Sequence, residues 1–301
     1  MNAADKQPRP KADPPKIPIS KRLRAWWKGE QLFFKQKPKP EIERDGREHL
    51  DRPALLQEIW GEDWSDPCSP EHLRLLLEPL ELDPSMTIVE LGDGFGGVAR
   101  FMVQQSGIWV QALIADREAA IVGIRASEKS GMEKKAAVLH FNPETHVYRP
   151  NVAERAFSKE FFHKVADKKR LLQGTVLLLK EEGRLLFTDF LMPEDTSKKS
   201  LREWTSLLPY EAHLWTAKRY QLFLAGQKMH LLMNDDVTQQ THDLILAAWQ
   251  AFDASARIAH YAPETAEMAL REAERWAACV RALEAGKLQV GRFCYVKKTL
   301  S

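Results

Sequence analysis

Residues 87–102 decide the fold, and their sequence is TIVELGDGFGGVARFM. The β-branched run 87–89 predicts a short buried strand. Four glycines follow within residues 92–97, and residues 98–105 predict a helix. Glycine accepts positive φ and lets a ligand approach the backbone, while a helix N-terminus presents free N–H groups. The strand, glycine turn and helix therefore predict a ligand site at the turn.

Two cofactor interpretations compete at this turn. Gly92, Gly94 and Gly97 fit the pattern G-x-G-x-x-G, which is the dinucleotide fingerprint and predicts a nicotinamide-dependent reductase. With Glu90 and Gly96 the string becomes E-x-G-x-G-x-G-G, which resembles motif I of class I S-adenosylmethionine (SAM) methyltransferases. The acidic residue before the glycines favours the second interpretation.

The resemblance to motif I carries specific expectations for the turn. In that family the carboxylate at the Glu90 position helps to orient the methionine end of SAM. The turn residues Gly92, Asp93, Gly94 and Gly96 are accordingly expected to bind the cofactor.

Charge and cysteine content restrict the class of protein. The chain has 301 residues and a net charge of +2. Residues 1–40 contain eleven Lys or Arg and three acidic residues, so this segment carries a charge of +8 and the remainder of the chain carries −6. A mildly acidic body argues against nucleic acid as substrate. No apolar run approaches the roughly 20 residues that span a bilayer, and no signal peptide is recognised. Cys68, Cys279 and Cys294 are odd in number and widely spaced, which predicts reduced thiols in the cytoplasm and no metal site.

Composition divides the chain into a basic, proline-rich tail at 1–48 and a domain at 49–301. Within the tail, residues 21–34 have the sequence KRLRAWWKGEQLFF. A basic and aromatic segment can lie in a membrane interface or bind an anionic partner. The alternative is that its aromatic side chains pack on the protein's own domain as a strap, and we favour that alternative because Gly29 limits a long amphipathic helix.

The second and third strands depart from the methyltransferase pattern. Residues 108–115, IWVQALIA, predict the second strand, which in the family ends in a carboxylate that binds the ribose hydroxyls of SAM. Ile114 occupies that place here, and Asp116 can serve only if the turn is shifted. The third strand, predicted at 136–141, is followed by Asn142 where the family commonly has an acid for the adenine amine.

The fourth and fifth strands supply the candidates for chemistry. The fourth strand is predicted at 152–157 and interrupted by charged residues, with Ser158 at its carboxyl end as a cofactor contact. Residues 177–190, LLLKEEGRLLFTDF, closely resemble the family's turn and fifth strand. The resemblance implies that acceptor-contacting, catalytic residues are found among Glu160, His163 and Asp189, with Tyr210 and His213 as further candidates.

Taken over residues 55–298, the resemblance implies an α/β, Rossmann-like fold. It predicts a seven-stranded, mostly parallel sheet with helices on both faces, an antiparallel last strand, and a helical insertion at about 192–227 between strands five and six. The sequence Asp-Val-Thr at 236–238, after the sixth strand, is similar to small-molecule N-methyltransferases of the phosphoethanolamine and sarcosine type.

The implied function is a SAM-dependent methyltransferase acting on a small polar or lipid-like acceptor. The alternative is a methyltransferase-fold subunit that has lost catalysis and binds a protein partner. Ile114, Asn142 and the sequence Cys68-Ser69-Pro70, where relatives have a glycine pair, favour that alternative.

Overall fold

The structure is a computed structural model that describes residues 47–298, apart from the side chains of residues 254 and 255. Most of the predicted tail, including the aromatic segment 21–34 and its membrane, partner or strap interpretations, lies outside the described residues. Among the described residues, no helix is long and apolar enough to cross a membrane.

Residues 47–298 form a seven-stranded sheet. The strands are β1 (Thr87–Gly92), β2 (Trp109–Ile114), β3 (Ala136–His140), β4 (Ala153–Lys159), β5 (Leu179–Leu191), β6 (Met229–Asp236) and β7 (Gln289–Lys297). Their order across the sheet is β3-β2-β1-β4-β5-β7-β6. Strands β1 to β5 pair in parallel, whereas β7 is antiparallel to both β5 and β6. The predicted fold class, with its antiparallel last strand, is confirmed.

Ten α-helices pack around this sheet in the part of the chain that the structure describes. They are α1 (Arg52–Trp60), α2 (Pro70–Leu77), α3 (Gly97–Ser106), α4 (Arg117–Lys129), α5 (Lys168–Leu178), α6 (Arg202–Thr205), α7 (Ala217–Gly226), α8 (Thr238–Phe252), α9 (Ala254–Ile258) and α10 (Pro263–Glu284). The helices α6 and α7 lie between β5 and β6, which confirms the predicted insertion.

Two apolar clusters form the core, and alternate strand residues divide between them. Ile88 and Leu186 belong to one cluster, whereas their strand neighbours Val89 and Phe187 belong to the other. Because successive side chains of a strand point to opposite faces, this division shows that both faces of the sheet are covered. The carboxyl ends of the parallel strands are left as the edge at which loops and polar side chains converge.

The fourth strand is complete, which corrects the prediction that charged residues interrupt it. Glu154 accepts a hydrogen bond from the backbone N–H of Thr87 and pairs with Lys180. Arg155 is buried and donates to the carbonyl of Leu80 at 2.5 Å. The charged side chains are satisfied locally, so β4 remains a central strand.

Three local features accompany these elements. A 3₁₀ turn (Phe162–Lys164) precedes α5, which begins after Asp167 because the Asp167 side chain accepts from the N–H of Arg170. A bulge lies within β5, whose pairing with β4 shifts between Ala153 and Arg155. Thr238 is the first residue of α8, and its hydroxyl accepts from the N–H of Val290.

Candidate active site

The glycine turn between β1 and α3 is closely packed on its outer side. A Cβ atom on Gly97 would lie 2.4 Å from the carbonyl oxygen of Asp63, and one on Gly94 would lie 2.9 Å from the Ser65 hydroxyl. Gly96 has a φ of +67°, which few other residues accept. The glycines therefore allow the loop at 61–69, between α1 and α2, to lie directly on the turn.

Two ion pairs hold this loop in place. Arg100 of α3 donates to both carboxylate oxygens of Asp63, at 2.5 and 3.2 Å, and to the carbonyl of Phe95 at 3.0 Å. Lys159, at the end of β4, pairs with Asp66 at 2.5 Å. Arg100 and Lys159 are both buried, so loss of either acidic partner would leave a buried positive charge without that compensation.

Under the loop lies a small cavity of about 30 Å³ lined by the glycine turn, Glu90 and Lys159. Glu90 is buried, and its Oε2 atom has no hydrogen-bond partner. Burial raises the pKa of Glu90 to about 7, against the opposing effect of the Arg100 charge. The hydroxyl of Ser158, at the end of the neighbouring strand, is buried and unpartnered as well. Of these two unpartnered groups, Glu90 lines the small cavity, whereas Ser158 lines neither cavity.

A larger cavity of about 450 Å³ adjoins the small one and shares Ser65, Asp66, Asp93 and Phe95 with it. Its polar wall contains carboxylates from four loops at the carboxyl edge of the sheet. Aromatic side chains from the insertion and from α10 form much of the remainder. The residues that line it include Asp93, Asp116, Glu118, Glu160, His163, Lys164, Phe190, Trp204, Tyr210 and Trp276.

His163 and Asp189 form the most enclosed polar contact at this cavity. The His163 Nδ1 atom lies 2.7 Å from Asp189 Oδ1, and the His163 backbone N–H donates to the same oxygen. Both side chains have 0% exposure, yet His163 Nε2 lies 3.1 Å from the Tyr210 hydroxyl, on the cavity side. The carboxylate assigns the proton to Nδ1 and leaves the Nε2 lone pair facing Tyr210.

Electrostatics favour the neutral form of this histidine. Burial lowers the pKa of His163 below its ordinary 6.5, although the Asp189 carboxylate acts in the opposite direction. The pKa of Asp189 is lowered as well: burial raises it, but the charge of Lys168 and the hydrogen bonds from His163 and Tyr220 outweigh burial. At neutral pH the pair is therefore a carboxylate next to a neutral imidazole that can accept a proton at Nε2.

Glu160 lies on the same wall in an unusual conformation. Its φ is +48°, which is uncommon for a residue with a Cβ atom. Its carboxylate accepts from Lys159 at 2.8 Å, so Lys159 bridges Asp66 and Glu160. Burial raises the pKa of Glu160 despite the Lys159 charge. The strained backbone directs a carboxyl group into the cavity, which fits a contact with a polar ligand.

The structure places the three residues predicted to contact the ribose and the adenine in three different environments. Ile114 pairs with Gly92 across the sheet and is fully buried in the apolar core. Asp116 caps α4, accepting from the N–H of Ala119 at 2.7 Å, and it lines the large cavity. Asn142 is exposed and accepts from the N–H of Glu144, away from both cavities. Of these three residues, only Asp116 has access to the cavity.

Sequence reasoning missed the cations of the site. Lys164 lies 2.7 and 2.9 Å from the two Asp93 carboxylate oxygens and is 5.4 Å from the centre of the Tyr210 ring. Arg100 and Lys159 were missed too. Their acidic partners, Asp63 and Asp66, lie in the acidic run Gly-Glu-Asp-Trp-Ser-Asp at 61–66. That run was the sequence feature that could have indicated buried cations nearby.

Comparisons with known proteins agree with this architecture. No protein-family model matches the sequence. The glycine/sarcosine/dimethylglycine N-methyltransferase of Actinopolyspora halophila is 27% identical over 121 residues, which are 40% of this chain and 21% of that protein. The sarcosine/dimethylglycine N-methyltransferase of Halorhodospira halochloris is 24% identical over 115 residues, 38% of this chain and 41% of that protein. The matches thus span less than half of the length of these curated relatives.

Among solved structures, a Galdieria sulphuraria protein described as a sarcosine dimethylglycine methyltransferase superposes with a TM-score of 0.71. The identity is 18%, and 82% of this chain and 98% of that chain are covered. Phosphoethanolamine N-methyltransferase 2 of Haemonchus contortus gives a TM-score of 0.70 at 17% identity, with 82% and 57% covered. That structure contains phosphomonomethylethanolamine and S-adenosylhomocysteine.

The fold is that of the class I SAM-dependent methyltransferases. The resemblance predicted from the sequence is confirmed for sarcosine-type methyltransferases by the curated relatives, and solved structures of the sarcosine and phosphoethanolamine type share the fold.

Proposed function

We propose that this chain transfers the methyl group of SAM to the nitrogen of a small polar acceptor. The observation that carries the proposal is the His163–Asp189 pair, which presents an unprotonated Nε2 to a cavity that adjoins the glycine turn. The sequence and structural relatives named above support the same reaction class.

The residues at the turn fit the methionine end of SAM. The unpartnered Glu90 oxygen supplies an acceptor for a cationic ligand, and Ser158 is assigned the same role from the end of the neighbouring strand. Gly92, Gly94 and Gly96 line the small cavity. Asp93 borders both cavities and belongs to the same set. When bound, SAM supplies a methyl group activated by a sulfonium.

The ribose is assigned to the start of α4. Ile114 lies in the core and offers no hydrogen-bonding group, whereas Asp116 and Glu118 both line the cavity. Asp116, two residues after Ile114, then accepts hydrogen bonds from the ribose hydroxyls. Asn142 is assigned no contact by the described geometry, so the adenine contact predicted for it stays a prediction.

His163 acts as the general base in this proposal. An amine acceptor is protonated near neutral pH and must lose a proton before its lone pair can attack. His163 accepts that proton at Nε2, and Asp189 stabilises the resulting imidazolium through Nδ1–H. The new N–C bond forms as the S–C bond breaks, and the proton remains on His163 until it is released to solvent.

The other predicted catalytic residues have distinct roles. Glu160 borders the cavity and is assigned to contact the acceptor's ammonium group. Asp189 is fully buried and acts on the reaction through His163 alone. Phe190, Trp204 and Tyr210 line the cavity around the base and exclude water from the site of transfer.

A methyl-transfer assay tests the proposal. Wild-type protein is supplied with methyl-labelled SAM and, separately, with glycine, sarcosine, dimethylglycine, phosphoethanolamine and a lipid-like amine. We expect transfer to at least one small amine and a loss of about 100-fold or more in His163→Gln. His140→Gln, at an exposed histidine of β3, is the matched control and retains activity.

Two outcomes contradict the proposal. Transfer that is unaffected by His163→Gln removes the base from its assigned role. SAM binding without transfer to any amine favours the alternative of a methyltransferase-fold subunit that has lost catalysis and serves a protein partner.

A further inference from the structure

A buried lysine, Lys168, lies next to Asp189, the carboxylate partner of the proposed base, and does not line the large cavity. Lys168 is the first residue of α5, and its side chain has 1% exposure. Its ammonium donates to the carbonyl of His213 at 2.7 Å and lies 3.6 Å from Asp189 Oδ2. It is also 5.2 Å and 5.0 Å from the ring centres of Trp215 and Tyr220. A fully enclosed lysine of this kind requires a compensating negative charge.

Asp189 supplies that negative charge, and both of its carboxylate oxygens accept hydrogen bonds. Oδ1 accepts from the backbone N–H and the ring of His163, while Oδ2 accepts from the Tyr220 hydroxyl at 2.5 Å and faces Lys168. His163 and Tyr220 contribute neutral donors. Lys168 is therefore the cation closest to this carboxylate among the contacts that the structure gives it. Without it, a buried carboxylate would have to be balanced by a proton on His163.

We propose that Lys168 is a positioning residue that keeps His163 neutral by supplying the counter-charge of Asp189. The inference rests on the proposed function, in which His163 acts as base. The carboxylate then orients the imidazole without drawing a second proton onto it. Lys168 also fixes the segment that covers the base, since the same His213 whose carbonyl it binds donates its N–H to the carbonyl of His163 at 2.7 Å.

The charged groups on the cavity side of His163 are paired with other partners. The charge of Lys164, on the same 3₁₀ turn, also lowers the pKa of His163, but its ammonium is paired with Asp93 and, among the described residues, forms no ion pair with Asp189. Tyr210, after α6, faces Nε2, and Glu160, at the end of β4, lines the same cavity and is paired with Lys159. The Arg219 guanidinium of α7 stacks on Trp215. Its charge lowers the pKa of Lys168, and it is not among the groups that shift the pKa of His163.

Burial lowers the pKa of Lys168 to about 8, with Asp189 opposing the fall. A value near 8 leaves the ammonium charged in most molecules at pH 7, as the proposal requires. Deprotonation of Lys168 above about pH 8 removes the counter-charge of Asp189, so the proposed arrangement is expected below that pH.

Ring titrations by NMR of the full-length, SAM-free protein test the proposal. In Lys168→Met we expect the protonation midpoint of His163 to rise by about one pH unit or more. Lys169→Met, which removes an exposed charge from the next residue, leaves the midpoint unchanged, and Lys168→Arg restores most of the wild-type value. A folded Lys168→Met protein with the wild-type midpoint overturns the proposal.

A second measurement keeps the test decisive if Lys168→Met does not fold. The side-chain resonances of Lys168 in the wild-type protein report its charge directly. We expect a charged ammonium at pH 7, and a neutral amine at that pH overturns the proposal. Neither NMR experiment needs methyl transfer, so a failure here is distinguishable from a failure of the proposed activity. In an active protein, the acidic limb of kcat/KM also moves to higher pH in Lys168→Met.

Discussion

Asp63 and Arg100 join the loop that covers the glycine turn to the helix that follows the turn. The Arg100 guanidinium is 3% exposed and donates to both Asp63 carboxylate oxygens, while a Cβ on Gly97 would collide with the Asp63 carbonyl. The backbone and the side chain of Asp63 thus fix the same loop against the same turn. Closure of the proposed SAM site depends on a residue that precedes β1.

Asp63→Asn is expected to destabilise the protein and weaken SAM binding together. Arg100 keeps its contacts to Phe95, Gly123 and Ser127 but loses its counter-charge, at a cost of about 1–3 kcal/mol. Thermal unfolding and SAM calorimetry measure the two effects. Glu62→Gln, at the exposed neighbouring acid, is the control. Unchanged SAM affinity in Asp63→Asn would show that the loop does not close the site.

SAM binding is expected to release protons near pH 7. Burial raises the pKa of Glu90 to about 7 in the free protein, so a large fraction of Glu90 is protonated there. A bound cation favours the carboxylate and lowers that pKa. Affinity should therefore rise as the pH increases through 7, with proton release measured by calorimetry in buffers of different ionisation enthalpy. Glu90→Gln should abolish the release, and release that persists in this variant would assign it to another group.

Asp116 is expected to have two separable roles. Asp116→Ala removes the cap of α4 and costs about 1 kcal/mol of unfolding free energy, in addition to weakening SAM binding. Asp116→Asn retains a capping side chain and loses only the charge, so it should weaken SAM binding with little change in stability. Equal SAM affinity of both variants and the wild type would exclude Asp116 from the ribose contact.

The N-terminal tail is expected to be dispensable for the fold up to residue 46. Glu48 forms two backbone hydrogen bonds with the segment before α10, accepting from Ala262 and donating to His260. A protein starting at Arg47 should therefore unfold at the wild-type temperature, and one starting at Leu50 should unfold at a lower temperature. A large loss in the first truncation would contradict this expectation.

The sheet was predictable because its central strands have local signals. The glycine turn after residues 87–89 and the sequence of β5 both identified their elements. In contrast, β4 was judged weak because Glu154 and Arg155 were considered alone. Their partners Lys180 and Leu80 are distant in sequence and become neighbours only in the folded sheet.

The charge balance of the candidate site could not be predicted from the sequence. The resemblance singled out His163 and Asp189 as candidates, and nothing local indicates that Asp189 is enclosed by Tyr220 and Lys168. Pairing between buried charges is a long-range property. The sequence shows which charges exist, and only the fold shows which of them neutralise one another.

Calorimetric titration of SAM into wild-type protein and into Gly94→Val determines whether the glycine turn binds SAM. Any side chain at Gly94 meets the Ser65 hydroxyl, whereas a Cβ at Gly226, the site of the control Gly226→Ala, meets nothing within 4 Å. We expect wild type and Gly226→Ala to bind SAM and a folded Gly94→Val to lose binding. Absence of binding to wild type, or equal affinity in folded Gly94→Val, would contradict SAM binding at the turn.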